Sequence, residues 1–277
     1  MQRGFSRFLG VDLGGGKGKN TAVARLALDD AGGVRVEQVT ARAGKNGTTS
    51  PLYDRELLDY LNKWRDGAVL AIDAPLTLTA CVRCREPVCP GLDACVDPTT
   101  VWFRTVGDAM LAEGRVRNGK PLSTPYTQRA SEVWLHRRMG VLPRETLGQG
   151  MGPLTARARH LVRALEAHFR LNENLIEVYP KATVQLLFSP QVAKGYKRDA
   201  PAYETRQRIL HALEDLHFGP STGLQREQCF ANDHCFDALI CAYTAFLWAR
   251  DGWQMPTEHR EIWHADGWIW HPPARSS

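Results

Sequence analysis

An α/β fold, a mixed five-stranded sheet flanked by helices, follows from three features of the 277-residue sequence. Short apolar runs separated by glycine-rich turns fill the first third. An amphipathic stretch then stands between two apolar runs, the pattern of a crossover onto one sheet. Beyond residue 100 the apolar spacing is mostly helical, interrupted by one further strand.

The runs Phe8 to Leu13, Thr21 to Leu28 and Val34 to Thr40 read as an antiparallel meander. Leu52 to Trp64 sets Leu57, Leu58 and Leu61 on one helical face, and Ala68 to Asp73 is an apolar strand. A cysteine-rich insertion covers residues 80 to 98. Helices follow near Val101 to Glu113, Gln128 to Met139 and Thr155 to Phe169. A strand surrounds Glu177, with helices near Lys181 to Leu187, Tyr203 to Leu216 and Asp233 to Arg250 behind it. A short tryptophan-rich strand, Gly267 to His271, closes the chain. No repeat or low-complexity linker appears, so residues 1 to 277 read as one elaborated domain. Three antiparallel strands, a helix, a fourth strand, helices and a fifth strand is the order of the ribonuclease H-like fold.

Carboxylates stand where core elements end. Asp12 closes the first apolar run and is followed by Gly14-Gly15-Gly16-Lys17-Gly18-Lys19-Asn20. Asp73 closes another, Glu177 lies inside a third, and Asp237 sits in the apolar stretch Phe236 to Leu247. A charge at such a position is costly unless a metal, partner or substrate stabilises it. The helix carrying Asp237 runs from an Asn232 N-cap to a Gly252 stop, and Asp233 in its first turn is explained by the helix dipole alone. A strand-end aspartate can also simply make a turn with the glycines after it. The glycine-rich loop lacks the spacing of a nucleotide-binding P-loop.

Gly10-Val11-Asp12-Leu13, Ile72-Asp73-Ala74-Pro75-Leu76, Glu177-Val178-Tyr179-Pro180 and Asp237-Ala238-Leu239-Ile240-Cys241-Ala242-Tyr243 resemble the signature blocks of domain-of-unknown-function family 429. Thr127-Gln128-Arg129, Leu154-Thr155-Ala156-Arg157 and Gly267-Trp268-Ile269 fit as well. That family is described as predicted nucleases of ribonuclease H-like fold, related to the RuvC and YqgF groups. The resemblance implies that Asp12, Asp73, Glu177 and Asp237 are metal ligands. The cysteine insertion departs from the family pattern.

Four of the seven cysteines, Cys81, Cys84, Cys89 and Cys95, crowd into fifteen residues. Their spacing is close to that of a zinc knuckle, and four thiolates suit tetrahedral Zn2+. An iron–sulfur cluster or plain thiols are the alternatives. Cys229, Cys235 and Cys241 read as buried thiols.

The hydrophobic fraction of 43% and charged fraction of 23% are those of an ordinary globular protein. No run is long and apolar enough for a membrane span, and the N-terminus has no signal-peptide core, so the expected location is the cytoplasm. A net charge of +5 permits a polyanionic partner. Arg159, Arg163 and Arg170, off the apolar stripe of their helix, and Arg115, Arg117, Lys120, Arg129, Arg137 and Arg138 could line a phosphate-binding surface.

The first functional expectation is a nuclease, hydrolysing phosphodiester bonds of DNA or RNA with Mg2+ or Mn2+. Asp12 would bridge two ions, Asp73 and Asp237 would complete their coordination, and Glu177 or Asp233 would add a ligand or orient water. Lys17 or Lys19, with Arg129, Arg159 and Arg163, would contact substrate phosphates. Two alternatives stand beside it. One is an ATP-binding phosphotransferase of the actin and sugar-kinase type, although no second glycine-rich phosphate loop occurs between residues 175 and 250. The other is a non-catalytic nucleic-acid-binding module, favoured if the acids are far apart in space.

Overall fold

The computed structural model describes residues 2–43, 50–112, 122–197 and 201–274. Strands β1 (Arg7–Asp12), β2 (Ala22–Leu28) and β3 (Val34–Thr40) form the expected antiparallel meander. A separate ladder joins β4 (Arg42–Ala43) to β5 (Ser50–Pro51). Helix α1 (Asp54–Lys63) buries Leu57 and Leu61, and β6 (Ala68–Asp73) then pairs parallel to β1. Every residue of β1 from Phe8 to Asp12 is buried, which is why it reads as a continuous apolar run rather than an alternation.

Next come α2 (Ala80–Arg83), α3 (Pro98–Trp102), a π-helical turn over Phe103–Gly107, α4 (Asp108–Ala112) and α5 (Ala130–Met139). The helix expected from Val101 thus runs on without a break from α3 through the π-helical turn into α4, and the Trp102 ring lies against Gly107, where a Cβ would come within 2.9 Å of the indole. Glu113, like Arg115, Arg117 and Lys120, lies outside the described residues.

Helix α6 (Gly152–Leu165) leads to β7 (Leu175–Val178), parallel to β6. Then follow α7 (Pro180–Leu187), α8 (Pro190–Gly195), α9 (Ala202–Ala212), β8 (Leu216–Phe218), α10 (Gly223–Ala231), α11 (Asp233–Asp251), α12 (Arg260–Asp266) and β9 (Ile269–Trp270). The main sheet has seven strands in the order β8-β3-β2-β1-β6-β7-β9, so the expected count of five was low. Two strands make the difference: the closing tryptophan-rich strand joins the sheet as β9, and β8, of which only Leu216 falls in the helix expected from Tyr203, becomes a strand by pairing in parallel with β3. A short edge strand has too few residues for a period to show.

The chain divides into two compact units, one comprising Met1–Ala74, His160–Trp253 and Trp270–Ser277, the other Pro75–Arg159 and Gln254–Ile269. The first contains the sheet and α11, which is buried along nearly its whole length from Cys235 to Ala249. The second is built around tryptophans: Trp263 meets Trp102 and Trp268 edge to face at 5.7 and 5.2 Å, and Trp134 meets Trp268 at 4.9 Å. Beside them is a buried polar network. Asp266 accepts from Arg83 and from the Ala130 N–H, while Arg129 donates to Glu132 at 3.0 Å. No helix among the described residues is long and apolar enough to cross a membrane.

Gly10 sets how closely α11 approaches β1. A Cβ at this position would overlap the backbone of Ala238 and Ala242. Backbone cannot yield as a flexible side chain can, so Gly10→Val should lower stability by about 3 kcal/mol. Urea denaturation measures this, and a wild-type midpoint would show that the close approach is not required.

Candidate metal centre

Register brings the first two acids together. Asp12 and Asp73 are directly paired residues at the ends of the parallel strands β1 and β6, so their side chains leave the sheet on one face. The same face carries Gly10, against which α11 lies. That helix is capped by Asn232, whose side chain accepts from the His234 and Cys235 N–H groups, and it ends at Gly252 in the left-handed conformation. Its second turn delivers Asp237, which is 0% exposed. Ligand oxygens of Asp12, Asp73 and Asp237 lie within 4.8 Å of one another.

Glu177 and Asp233 are not brought into this group. Glu177 pairs with Ile72, one residue short of Asp73, so the alternation of the sheet sends its side chain to the opposite face. It is buried, and close enough to contribute to the electrostatic pressure on Asp73. Asp233 is half-buried in the first turn of α11.

Two cations that sequence reading missed hold the triad. Lys197 donates to Asp237 Oδ2, and His234 Nδ1 lies 2.6 Å from Asp12 Oδ2. Lys197 follows α8 in an irregular stretch and would ordinarily read as a solvated lysine. His234 sits two residues after the N-cap and reads as part of the first helical turn. The only signal for either was the need for positive charge near Asp12 and Asp237.

The electrostatics are those of crowded, desolvated acids. Burial raises the Asp73 carboxyl well above its ordinary value, and Asp12 and Asp237 push it further, with Lys197 opposing. Burial also lifts Asp237 to about 7 against the pull of Lys197. Desolvation alone would lower Lys197, but Asp237 and Asp73 outweigh it and raise its pKa. The hydrogen bond to Asp12 raises His234. Among the described residues, Asp237 Oδ1 and the Tyr196 hydroxyl are buried with no hydrogen-bond partner of good geometry, though each shifts the other's ionisation.

An orphaned buried carboxylate oxygen beside two further carboxylates fits a divalent cation. Hard oxygen donors suit Mg2+ or Mn2+ better than Zn2+.

The proposed phosphate contacts divide by exposure. Lys17, Lys19 and Arg163 are exposed, and Arg159 is half-buried, donating to the Leu76 carbonyl at 2.8 Å. Arg129 is 1% exposed and bonded to Glu132 and Thr77, so it belongs to the core of the second unit rather than to a binding surface. The three cysteines read as buried thiols are buried, and Cys81, Cys84, Cys89 and Cys95 are free and at least partly exposed.

A cavity of about 580 Å³ in the second unit, lined by Leu111, Val133, His136 and Met151 among others, contains none of the three aspartates. The acids therefore define the candidate site. The chain matches the model described as "Protein of unknown function (DUF429)" over residues 10–261 and belongs to that family. No curated protein and no solved structure matches it.

Without metal, this cluster makes stability fall as pH rises. Folded Asp237 keeps its proton up to about pH 7, whereas an unfolded aspartate loses it near pH ~4. Between those values the folded state binds more protons, so raising the pH favours unfolding. The raised His234 pKa acts in the same direction above about pH 6.5, where the unfolded imidazole is already neutral. In chelator, thermal melts should therefore show Asp73→Asn stabilised more at pH 8 than at pH 5. An equal effect at both would contradict the crowded-acid account.

Proposed function

We propose that this member of the DUF429 family is a metal-dependent nuclease that hydrolyses phosphodiester bonds in DNA or RNA. The observation that carries the reading is the triad itself: three carboxylates on three elements, with ligand oxygens within 4.8 Å of one another. The spread-out acids that would have favoured a non-catalytic module are not found.

Two further features support it. The strand order β3-β2-β1-β6-β7, with β2 alone antiparallel to its neighbours, is that expected of a ribonuclease H-like core. The loop after Asp12 also presents Lys17 and Lys19 to solvent. It is folded back by Gly18 N–H to the Gly15 carbonyl at 2.7 Å and by Gly14 N–H to Thr21 Oγ1 at 3.1 Å. A short cationic turn anchored next to the acids suits a phosphodiester whose charge must be neutralised as it approaches them.

In this reading Asp12, Asp73 and Asp237 hold Mg2+ or Mn2+, and the chemistry such an ion supplies is polarisation of the phosphoryl oxygens and activation of water. His234 orients Asp12, and Lys197 fixes Asp237 while lowering the repulsion within the triad. Lys17, Lys19 and the exposed Arg163 bind backbone phosphates. Asp233, in the first turn of the helix that carries Asp237, orients water at the ion, whereas Glu177, on the other face of the sheet, contributes only its charge. Water adds to phosphorus, the P–O bond to the leaving nucleotide breaks, and the departing oxygen takes up a proton.

Purified protein should cleave nucleic acid in Mn2+ and lose that activity on adding chelator. Asp12→Asn should reduce cleavage to background. Lys17→Ala with Lys19→Ala should raise KM and reduce the salt slope of binding by about 1 to 2, for one or two lost phosphate contacts. Near-wild-type cleavage by Asp12→Asn would overturn the reading, and ATP hydrolysis without nuclease activity would replace it with the phosphotransferase alternative.

A further inference from the structure

The segment from Cys81 to Pro98 follows a defined path without a core. None of its residues is buried, and Val88 and Val96 are 79% and 88% exposed. Beyond α2 it has no helix or strand until α3 begins at Pro98. A stretch this long orders only if something other than apolar burial holds it.

Both ends are tied down within the second unit. At the start, Cys81 N–H donates to the Pro125 carbonyl at 3.1 Å, and Arg83 bonds the Leu78 carbonyl and Asp266. At the finish, Asp97 caps α3 through Thr100 N–H, and the Arg104 guanidinium gathers the carbonyls of Leu92, Asp93 and Cys95. The helices at the two ends, α2 and α3, also pack against each other. Within the loop, the Glu86 N–H donates to Cys84 Sγ at 3.5 Å. An N–H two residues on, turned back to a cysteine sulfur, is the outer-shell contact that orients and stabilises a metal-bound thiolate.

We propose that Cys81, Cys84, Cys89 and Cys95 bind one Zn2+ through four thiolates, forming a structural site that orders residues 81 to 98. The site does not depend on the hydrolase reading, because it uses different residues, a different metal and the other unit.

The sulfurs already sense one another. Burial raises the Cys81 thiol above its ordinary value, and Cys95, Cys89 and Cys84 each add to the rise. That is the penalty for gathering thiolates without a counter-charge, and a bound dication reverses its sign. The four sulfurs have still to close in. Among the described residues only the aspartates bring three ligand atoms within 4.8 Å, whereas tetrahedral zinc at Zn–S of about 2.3 Å needs sulfurs roughly 3.8 Å apart. The loop between its anchors has no buried side chain to resist that movement, and Gly91, at φ +86°, gives it a turn that other residues rarely make. Soft thiolates select zinc over the hard cations that suit the aspartates, so the two sites do not compete for one ion.

The test uses the full chain, purified under reducing conditions without added metal. Elemental analysis should find one zinc per chain, and X-ray absorption should show four sulfurs at about 2.3 Å. Titrating wild-type protein with an organomercurial should release that zinc to a chromogenic indicator as four thiols react. Cys84→Ser combined with Cys89→Ser should reduce zinc to background, whereas Asp73→Asn should retain it. Zinc-free protein, iron in place of zinc, disulfides among these cysteines, or zinc lost in Asp73→Asn would each overturn the proposal. If the double variant does not fold, the mercurial titration decides alone: zinc retained after the thiols are modified would overturn it.

Discussion

Three carboxylates held at one sheet end, against a buried helix, are the constraint around which the first unit is organised. Their repulsion and desolvation oppose folding, and the structure answers with Lys197 on Asp237 and His234 on Asp12. Those two cations leave the compensation incomplete, since Asp237 Oδ1 stays buried without a hydrogen-bond partner of good geometry among the described residues. An arrangement that costs stability and is only partly neutralised is a common mark of a functional site. Gly10 belongs to the same constraint, because it lets α11 come close enough for Asp237 to reach the strand ends.

The part of this design that depends on local pattern was legible in the sequence. Asp12 and Asp73 end apolar runs, Asp237 interrupts an apolar helix, and the Asn232 cap and Gly252 stop bound that helix where the residues said they would. The apolar stripe of the helix that carries Arg159 and Arg163, continued by Phe169 just past its end, consists of Ala158, Leu161, Leu165 and Phe169, and all four are buried. What depends on pairing between distant segments was not legible. Glu177 looked equivalent to the aspartates, but a one-residue offset in the register of β7 on β6 turns it to the other face. Lys197 reaches Asp237 across forty positions from an irregular stretch with no periodicity to mark it. Arg129 looked like a surface arginine because its partners, Thr77 and the Asp266 carbonyl, come from both ends of the second unit.

The second unit solves a different problem with the same physics. Its buried acids are satisfied in full: Glu132 accepts from Arg129, and Asp266 accepts from Arg83 and from the Ala130 N–H. Burial raises Glu132 and Asp266, and neighbouring arginines and hydrogen bonds hold the rise in check. Such complete networks fix geometry, and they differ from the triad in leaving little for a ligand to satisfy. The cysteine loop is the exception there, a segment with ligating groups and no core.

The central claim is that Asp12, Asp73 and Asp237 form a cation site, and the most direct measurement is calorimetric titration of Mn2+ into chelator-stripped protein in buffers of different ionisation enthalpy. Mn2+ should bind with release of protons, because burial and mutual repulsion raise the Asp73 and Asp237 carboxyls and a bound dication reverses that rise. Binding should be lost in Asp237→Asn, with the wild-type circular dichroism spectrum retained. Absence of Mn2+ binding, or equal binding by a folded Asp237→Asn variant, would contradict the account.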